Sequence, residues 1–141
     1  MGRSVDFVVD ASVAMGWLLQ SQTTPLTVAG EEALVDGIGW VPHHFGIEVA
    51  RALRRLERRS LLAPSVLEEA LTQLRRLPLK PDPEPTLHRL ADVVGLARLH
   101  ALRVADAAYL DLALRLNLPL ATRDTALARA AVAAGAALFK S

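Results

Sequence analysis

Short apolar runs that each stop at a polar residue, with longer helical patterns between them, leave this chain few folds to choose from. Residues 7–11 read FVVDA, and GWVPH, LPLKP, LPLAT and AALF follow at residues 39–43, 77–81, 118–122 and 136–139. Parallel neighbours need a crossover of a dozen or more residues, usually a helix, and the spacing between these runs supplies it. The alternation therefore predicts one α/β domain over residues 1–141, its parallel sheet covered by helices on both faces.

The helical patterns set finer expectations. A first helix is expected from about Ala14 to Leu19 with Ser12 as its cap, and a second in GEEALVDG, ending at Gly37. FGIEVARALRRLERRSLL is amphipathic: Val49, Leu53, Leu56 and Ser60 share one face, and five arginines occupy the other. SVLEEALTQLRRL carries a capping-box spacing, Ser65 and Glu68, and KPDPEP reads as a rigid connector. TLHRLADVVGLARLH and ADAAYLDLALRLN continue as helices, the latter stopped by Asn117, and TALARAAVAAG runs to Gly135 before AALF forms a last strand.

Composition narrows the chemistry. The chain has no cysteine, which excludes disulfides, zinc–thiolate centres and thiol nucleophiles. A formal net charge of +1 means that any nucleic-acid binding rests on a local patch. The N-terminal apolar run is broken by Asp10, against a signal peptide, and no stretch approaches the ~18 apolar residues of a membrane span. A cytoplasmic protein without membrane attachment is expected.

Asp10 then poses a question. A core strand gains nothing from a carboxylate at its end, and burying one unpaired costs several kcal/mol. Either Asp10 caps the following helix or a cation belongs in front of it. Asp124, just beyond LPLAT, repeats the placement, and ligands of doubly wound sheets bind outside the strands' carboxyl ends. Asp106 opens a helix, and Glu48 lies early in another, so four acids from four segments can converge. Unit charges about 4 Å apart repel by ~4 kcal/mol at an effective dielectric of 20, and a divalent cation relieves this. Oxygen ligands suit Mg2+ or Mn2+, and phosphodiester hydrolysis is the chemistry such a site serves.

Together, VVDASV, VPHHFGIEVARAL, LRVADAAYLDLAL and LPLATRDTALARAA resemble the PIN-domain ribonucleases, particularly the VapC-type toxins of prokaryotic toxin–antitoxin pairs. The resemblance maps the family's acidic positions onto Asp10, Glu48, Asp106 and Asp124, with Thr122 at the usual hydroxyl position. It implies a three-layer fold with a five-stranded parallel sheet, and Mg2+- or Mn2+-dependent cleavage of RNA. It also implies homodimerisation and inhibition by a VapB-like antitoxin. Asp10, Asp106 and Asp124 are the expected metal ligands, with Glu48 acting directly or through water. The alternative is a PIN-like module that has lost catalysis and only binds RNA or a protein.

Around the acids, Ser12 and Thr122 are candidates to orient carboxylates or metal-bound water. Arg51 and Arg55 lie near the stripe that carries Glu48, and Arg103 and Arg123 stand beside acids in sequence, so these four are candidate RNA contacts. Asp111, five positions after Asp106, lies about 140° round the helix and is expected elsewhere. His43 and His44 point opposite ways, and His88 and His100 have no matching partner. Trp17 and Leu18 are candidate interface residues. The sequence lacks the paired acids of a response regulator, the Asp-x-Asp of a haloacid-dehalogenase-like phosphatase and any G-x-G-x-x-G turn.

Overall fold

Four of the five apolar runs form strands, each of two or three residues. In the computed structural model, which describes residues 6–140, β1 is Phe7–Val9, β2 Gly39–Val41, β3 Leu79–Pro81 and β4 Leu120–Ala121. The strands pair in parallel in the order β3-β2-β1-β4. Phe7, Val8 and Val9 are fully buried, as a parallel strand covered on both faces should be. Gly39 is required by that packing: a Cβ there would lie 2.7 Å from side-chain atoms of both Val9 and Leu79.

The expected fifth strand is corrected. AALF contributes one parallel bridge, Leu138 to Leu120, with hydrogen bonds from Leu120 N to Ala137 O and from Phe139 N to Leu120 O, both 2.9 Å. β4 itself spans only two residues before the chain turns away at Thr122, so a longer ladder has nothing to pair with. Phe139 still reaches the core, stacking on Phe7 at 4.5 Å between ring centroids.

Among the described residues, seven α-helices accompany the strands: α1 (Ala11–Leu18), α2 (Pro25–Ala33), α3 (Phe45–Arg58), α4 (Pro64–Leu74), α5 (Thr86–His100), α6 (Val104–Leu116) and α7 (Thr125–Ala134). α1 packs on α2, α3 and α4, whereas α6 packs on α5, α7 and β1. The chain moves one way across the sheet through α1–α4 and the other way afterwards. Right-handed crossovers therefore set the two groups on opposite faces. Asn117 and Gly135, in left-handed conformations at φ 54° and 87°, end α6 and α7.

Several local expectations move. α1 starts at Ala11 rather than Ala14, so Ser12 falls inside its first turn and is no cap. The second helix begins at Pro25, earlier than GEEALVDG suggests, because Thr24 and Thr27 exchange reciprocal capping hydrogen bonds and proline favours the first helical position. Pro64 likewise starts α4, with Ala63 as its N-cap, displacing the Ser65–Glu68 capping box. Ser60, at φ 56°, lies past the end of α3 and is exposed instead of sharing the Val49–Leu53 face. Trp17 is buried, with its indole N–H donating to Thr27 O at 2.7 Å and its ring edge-on to Phe7. It is a core residue and not a surface contact; Leu18 is half-buried against the same core.

Candidate active site

Strand order decides where a ligand meets this sheet. The chain leaves β1 toward β2 on one side, and β4 later enters on the other side of β1. The crevice of such a sheet opens at the carboxyl ends of the strands flanking this reversal. Asp10 follows β1, and Thr122, Arg123 and Asp124 follow β4. The register Val9 to Ala121, extended by a 3.0 Å bond from Asp10 N to Ala121 O, brings the two segments side by side.

The Asp10 carboxylate answers one half of the question its position raises: it does not cap α1. It stands at the N-cap of α1, yet its side chain accepts no helix amide. Its Oδ2 instead accepts from Thr122 Oγ1 at 2.6 Å and Ser12 Oγ at 3.0 Å. Both hydroxyls are oriented from behind: Thr122 Oγ1 accepts from Asp124 N and Ser12 Oγ from Arg123 N, each at 3.0 Å. Burial pushes the Asp10 carboxyl above its usual range. The two hydroxyls pull it back, and the charges of Glu48 and Asp106 push it up again.

The remaining acids reach the same cleft from other elements. Glu48 comes from the first turn of α3 and Asp106 from the first turn of α6, where helix dipoles favour negative charge. Asp124 caps α7, its Oδ1 accepting from Ala126 N at 2.9 Å and Leu127 N at 3.2 Å. Its other oxygen takes no part in the cap. Asp10, Glu48, Asp106 and Asp124 together line one open cleft of about 450 Å³, along with Ser12, Arg51, Arg55 and Arg103. Arg103 Nε lies 3.0 Å from Asp106 Oδ2. Arg123 opens onto an adjoining cleft rather than this one.

Two residues at the site were not anticipated from sequence. Tyr109 is fully buried, and its hydroxyl donates to Glu48 Oε1 at 2.5 Å. Burial, together with the hydrogen bond to the Glu48 carboxylate, holds that phenol protonated far above its usual range, so it is a permanent donor. His44 Nε2 donates to Ala105 O at 3.0 Å and lies 3.5 Å from the same Glu48 oxygen, with its ring edge-on to Tyr109. The signals were there: Tyr109 is three residues past Asp106, and His44 four before Glu48, spacings that share a helix face.

His43 turns the other way, its Nε2 donating to Glu84 O at 2.9 Å. His88 and His100 lie outside the acidic cleft. Asp111 faces away from the cleft into a cluster with Arg89 and Arg115. Among the described residues, no three Asp, Glu or His side chains stand close enough to form a ready-made ion cage. Magnesium keeps several waters and takes one or two carboxylates directly along with substrate phosphate, rather than a full protein shell. The donor set is oxygen only, and Asp10 lacks any cationic partner among the described residues, so the residues present fit such an ion.

Comparison with known proteins gives the family. Residues 7–133 match the PIN domain family profile. The chain belongs to the PIN-domain family. Ribonuclease VapC3 of Mycobacterium tuberculosis is 35% identical over 125 residues, covering 87% of this chain and 85% of the relative. Ribonuclease VapC12 of the same species is 34% identical over 127 residues, covering 86% and 89%. Two crystal structures share the fold at 21% identity. PAE2754 from Pyrobaculum aerophilum has a TM-score of 0.70, covering 95% of this chain and 83% of its own. FitAcB from Neisseria gonorrhoeae has a TM-score of 0.64, covering 95% and 96%. All four acids of the PIN cleft lie inside the matched region.

Proposed function

We propose that this PIN domain is a metal-dependent endoribonuclease, the toxin of a toxin–antitoxin pair, with Mg2+ or Mn2+ at Asp10, Asp106 and Asp124, one or two of these bound directly and the rest through water. The observation that carries the reading is the buried Asp10 carboxylate, unpaired with any cation and sharing its cleft with three further acids. The relatives named ribonucleases give the substrate class. Bound there, a divalent ion would neutralise the carboxylates, polarise a phosphodiester and lower the pKa of an attacking water.

The chain's own side chains prepare that chemistry. Ser12 and Thr122 fix the rotamer of Asp10 through donors that are themselves held by backbone amides. Tyr109 donates to one oxygen of Glu48, with His44 alongside, leaving the other oxygen to orient water or take part in the metal's shell. Arg51, Arg55 and Arg103 place positive charge at the cleft, where RNA phosphates would enter. Arg123 continues that positive rim beyond Asp124.

The same reading carries two partners, a VapB-like antitoxin that blocks the cleft and a second copy of the chain. Leu87 and Leu99 on α5, 80% and 75% exposed, supply apolar surface for such contacts. Among the described residues no helix is long and apolar enough to cross a membrane; a cytoplasmic site of action belongs with this proposal. The test is cleavage of single-stranded RNA by the purified chain in manganese. Cleavage that EDTA stops and excess manganese restores is the expected result. Manganese uptake without cleavage of any RNA would leave a binding module instead.

A further inference from the structure

The acidic cleft does not end at Asp124. It adjoins a second open cleft of about 450 Å³, and the two share Ser12, Ala52, Arg55 and Asp124 in their walls. Their electrostatics differ. The second cleft has one acid, Asp124, against three guanidiniums, Arg55 and Arg59 from α3 and Arg123 from the loop after β4. Among the described residues none of these three arginines pairs with a carboxylate, unlike Arg54, which lies 2.8 Å from Glu57 on the same helix. Arg123 is nonetheless fixed in place, its Nη1 donating to Gln22 O at 3.2 Å and Gln22 Oε1 at 3.3 Å. Between the arginines, Met15, Ala52 and Leu56 give the cleft an apolar floor.

We propose that this second cleft is a subsite for the nucleotide next to the scissile phosphate, so that the RNA strand runs from one cleft into the other. The inference rests on the nuclease reading for the chemistry next door but not for the binding. Unpaired guanidiniums converging from two elements match a phosphate, whose oxygens accept the forked N–H groups. An apolar floor between them suits the face of a base, which can also stack on a guanidinium plane. No aromatic side chain lines the cleft. Affinity therefore depends on phosphate contacts more than on ring stacking, tolerates any base, and falls steeply with salt.

The test is fluorescence anisotropy of the full chain with single-stranded oligoribonucleotides of two to eight nucleotides, in EDTA so that cleavage cannot interfere. Arg59 lines the second cleft alone, so Arg59→Ala reports on it without touching the acidic one. Each lost phosphate contact lowers the single-strand salt slope by ~0.7, which corresponds to about fivefold in affinity at ~0.1 M salt. Arg59→Ala and Arg123→Lys should each weaken binding, the first by about fivefold with the lower slope, the second with the slope retained because the charge remains. Arg54→Ala should bind as wild type. Wild-type affinity and slope in Arg59→Ala would overturn the subsite, whether or not the wild type cleaves RNA. Weakened RNA binding in a chain that never cleaves would keep the subsite and remove the nuclease reading. Loss of affinity for a polyglutamate peptide, with RNA binding intact, would overturn the RNA assignment in favour of an acidic protein segment.

Discussion

One helix carries two acids with opposite fates. Asp106 and Asp111 both belong to α6, and five residues turn them about 140° apart. Asp111 is 4% exposed and fully answered: Arg89 holds both its oxygens at 3.2 and 2.8 Å, and Arg115 Nε adds a third bond at 3.0 Å. Arg115 also pairs with Asp82, after β3, and Arg89 with Asp92, so the cluster ties β3, α5 and α6 together. On the other side of the helix, Asp106 has one exposed arginine for a partner, and nearby Asp10 has none among the described residues. The charge of Asp82, although opposed by burial, is stabilised by Arg115 and the Glu84 amide, so its carboxyl lies below the usual range. Asp10 lies above it. Acids answered inside the chain hold the fold. The acids of the cleft lack such answers, and the proposed cation would supply them.

That contrast can be broken experimentally. The largest effect should come from Asp106→Asn, which is expected to cut metal-dependent RNA cleavage by ~100-fold or more while leaving the circular dichroism native-like. A variant that cleaves at the wild-type rate would erase the functional half of the comparison. Asp111→Ala should do the reverse. It removes the carboxylate that Arg89 and Arg115 share, but Asp92 and Asp82 still partner them, so the loss falls below the about 3–5 kcal/mol of breaking an isolated buried pair. Thermal melting should show a fall of several degrees. An unchanged melting temperature would mean that the cluster contributes nothing.

Metal sharpens the comparison further. Manganese at a hundredfold excess over Kd should stabilise the wild type by about 2.7 kcal/mol, because only the folded chain gathers the acids. Asp10→Asn should melt above the wild type without metal, having lost a buried repelling charge, and respond weakly to manganese. Identical melting curves for the two proteins, with and without the ion, would return Asp10 to a passive role.

The smallest effect is in acid. With its pKa lowered in the folded state, Asp82 contributes stability that is present above the unfolded carboxyl value of 3.8 and is lost as pH falls through its folded value. Urea unfolding at pH 7 and near pH 3 should show a smaller loss of stability in Asp82→Asn than in the wild type. The raised pKa of Asp10 works in the opposite sense: its ionisation costs stability at neutral pH, and acid relieves that cost. An Asp82→Asn protein with the full wild-type acid sensitivity would assign acid unfolding to other groups.

How far the sequence reached depended on the range of the interactions involved. Parallel strands, the helix stops at Asn117 and Gly135 and the separation of Asp111 from Asp106 follow from local periodicity and backbone preference, which operate within a few residues. The starts of α2 and α4 were missed although Pro25 and Pro64 mark them, because apolar spacing and an apparent capping box pointed further along the chain. The last strand failed for a different reason: AALF has strand character, but its partner β4 is too short to hold more than a bridge.

At the site the division is similar. The sequence alone placed acids at the ends of β1 and β4, since an apolar run broken by a carboxylate is visible without coordinates. Only the tertiary structure decided that Asp10 is no cap, because that rests on Thr122, 112 residues away in sequence, donating to the oxygen a helix amide would otherwise have claimed. It alone set Tyr109 against Glu48 across 61 residues, and Arg89 and Asp82 around the far side of α6. A charge's local sequence says where it sits along an element. Which partner answers it is fixed by the packing of that element against segments far away in the chain.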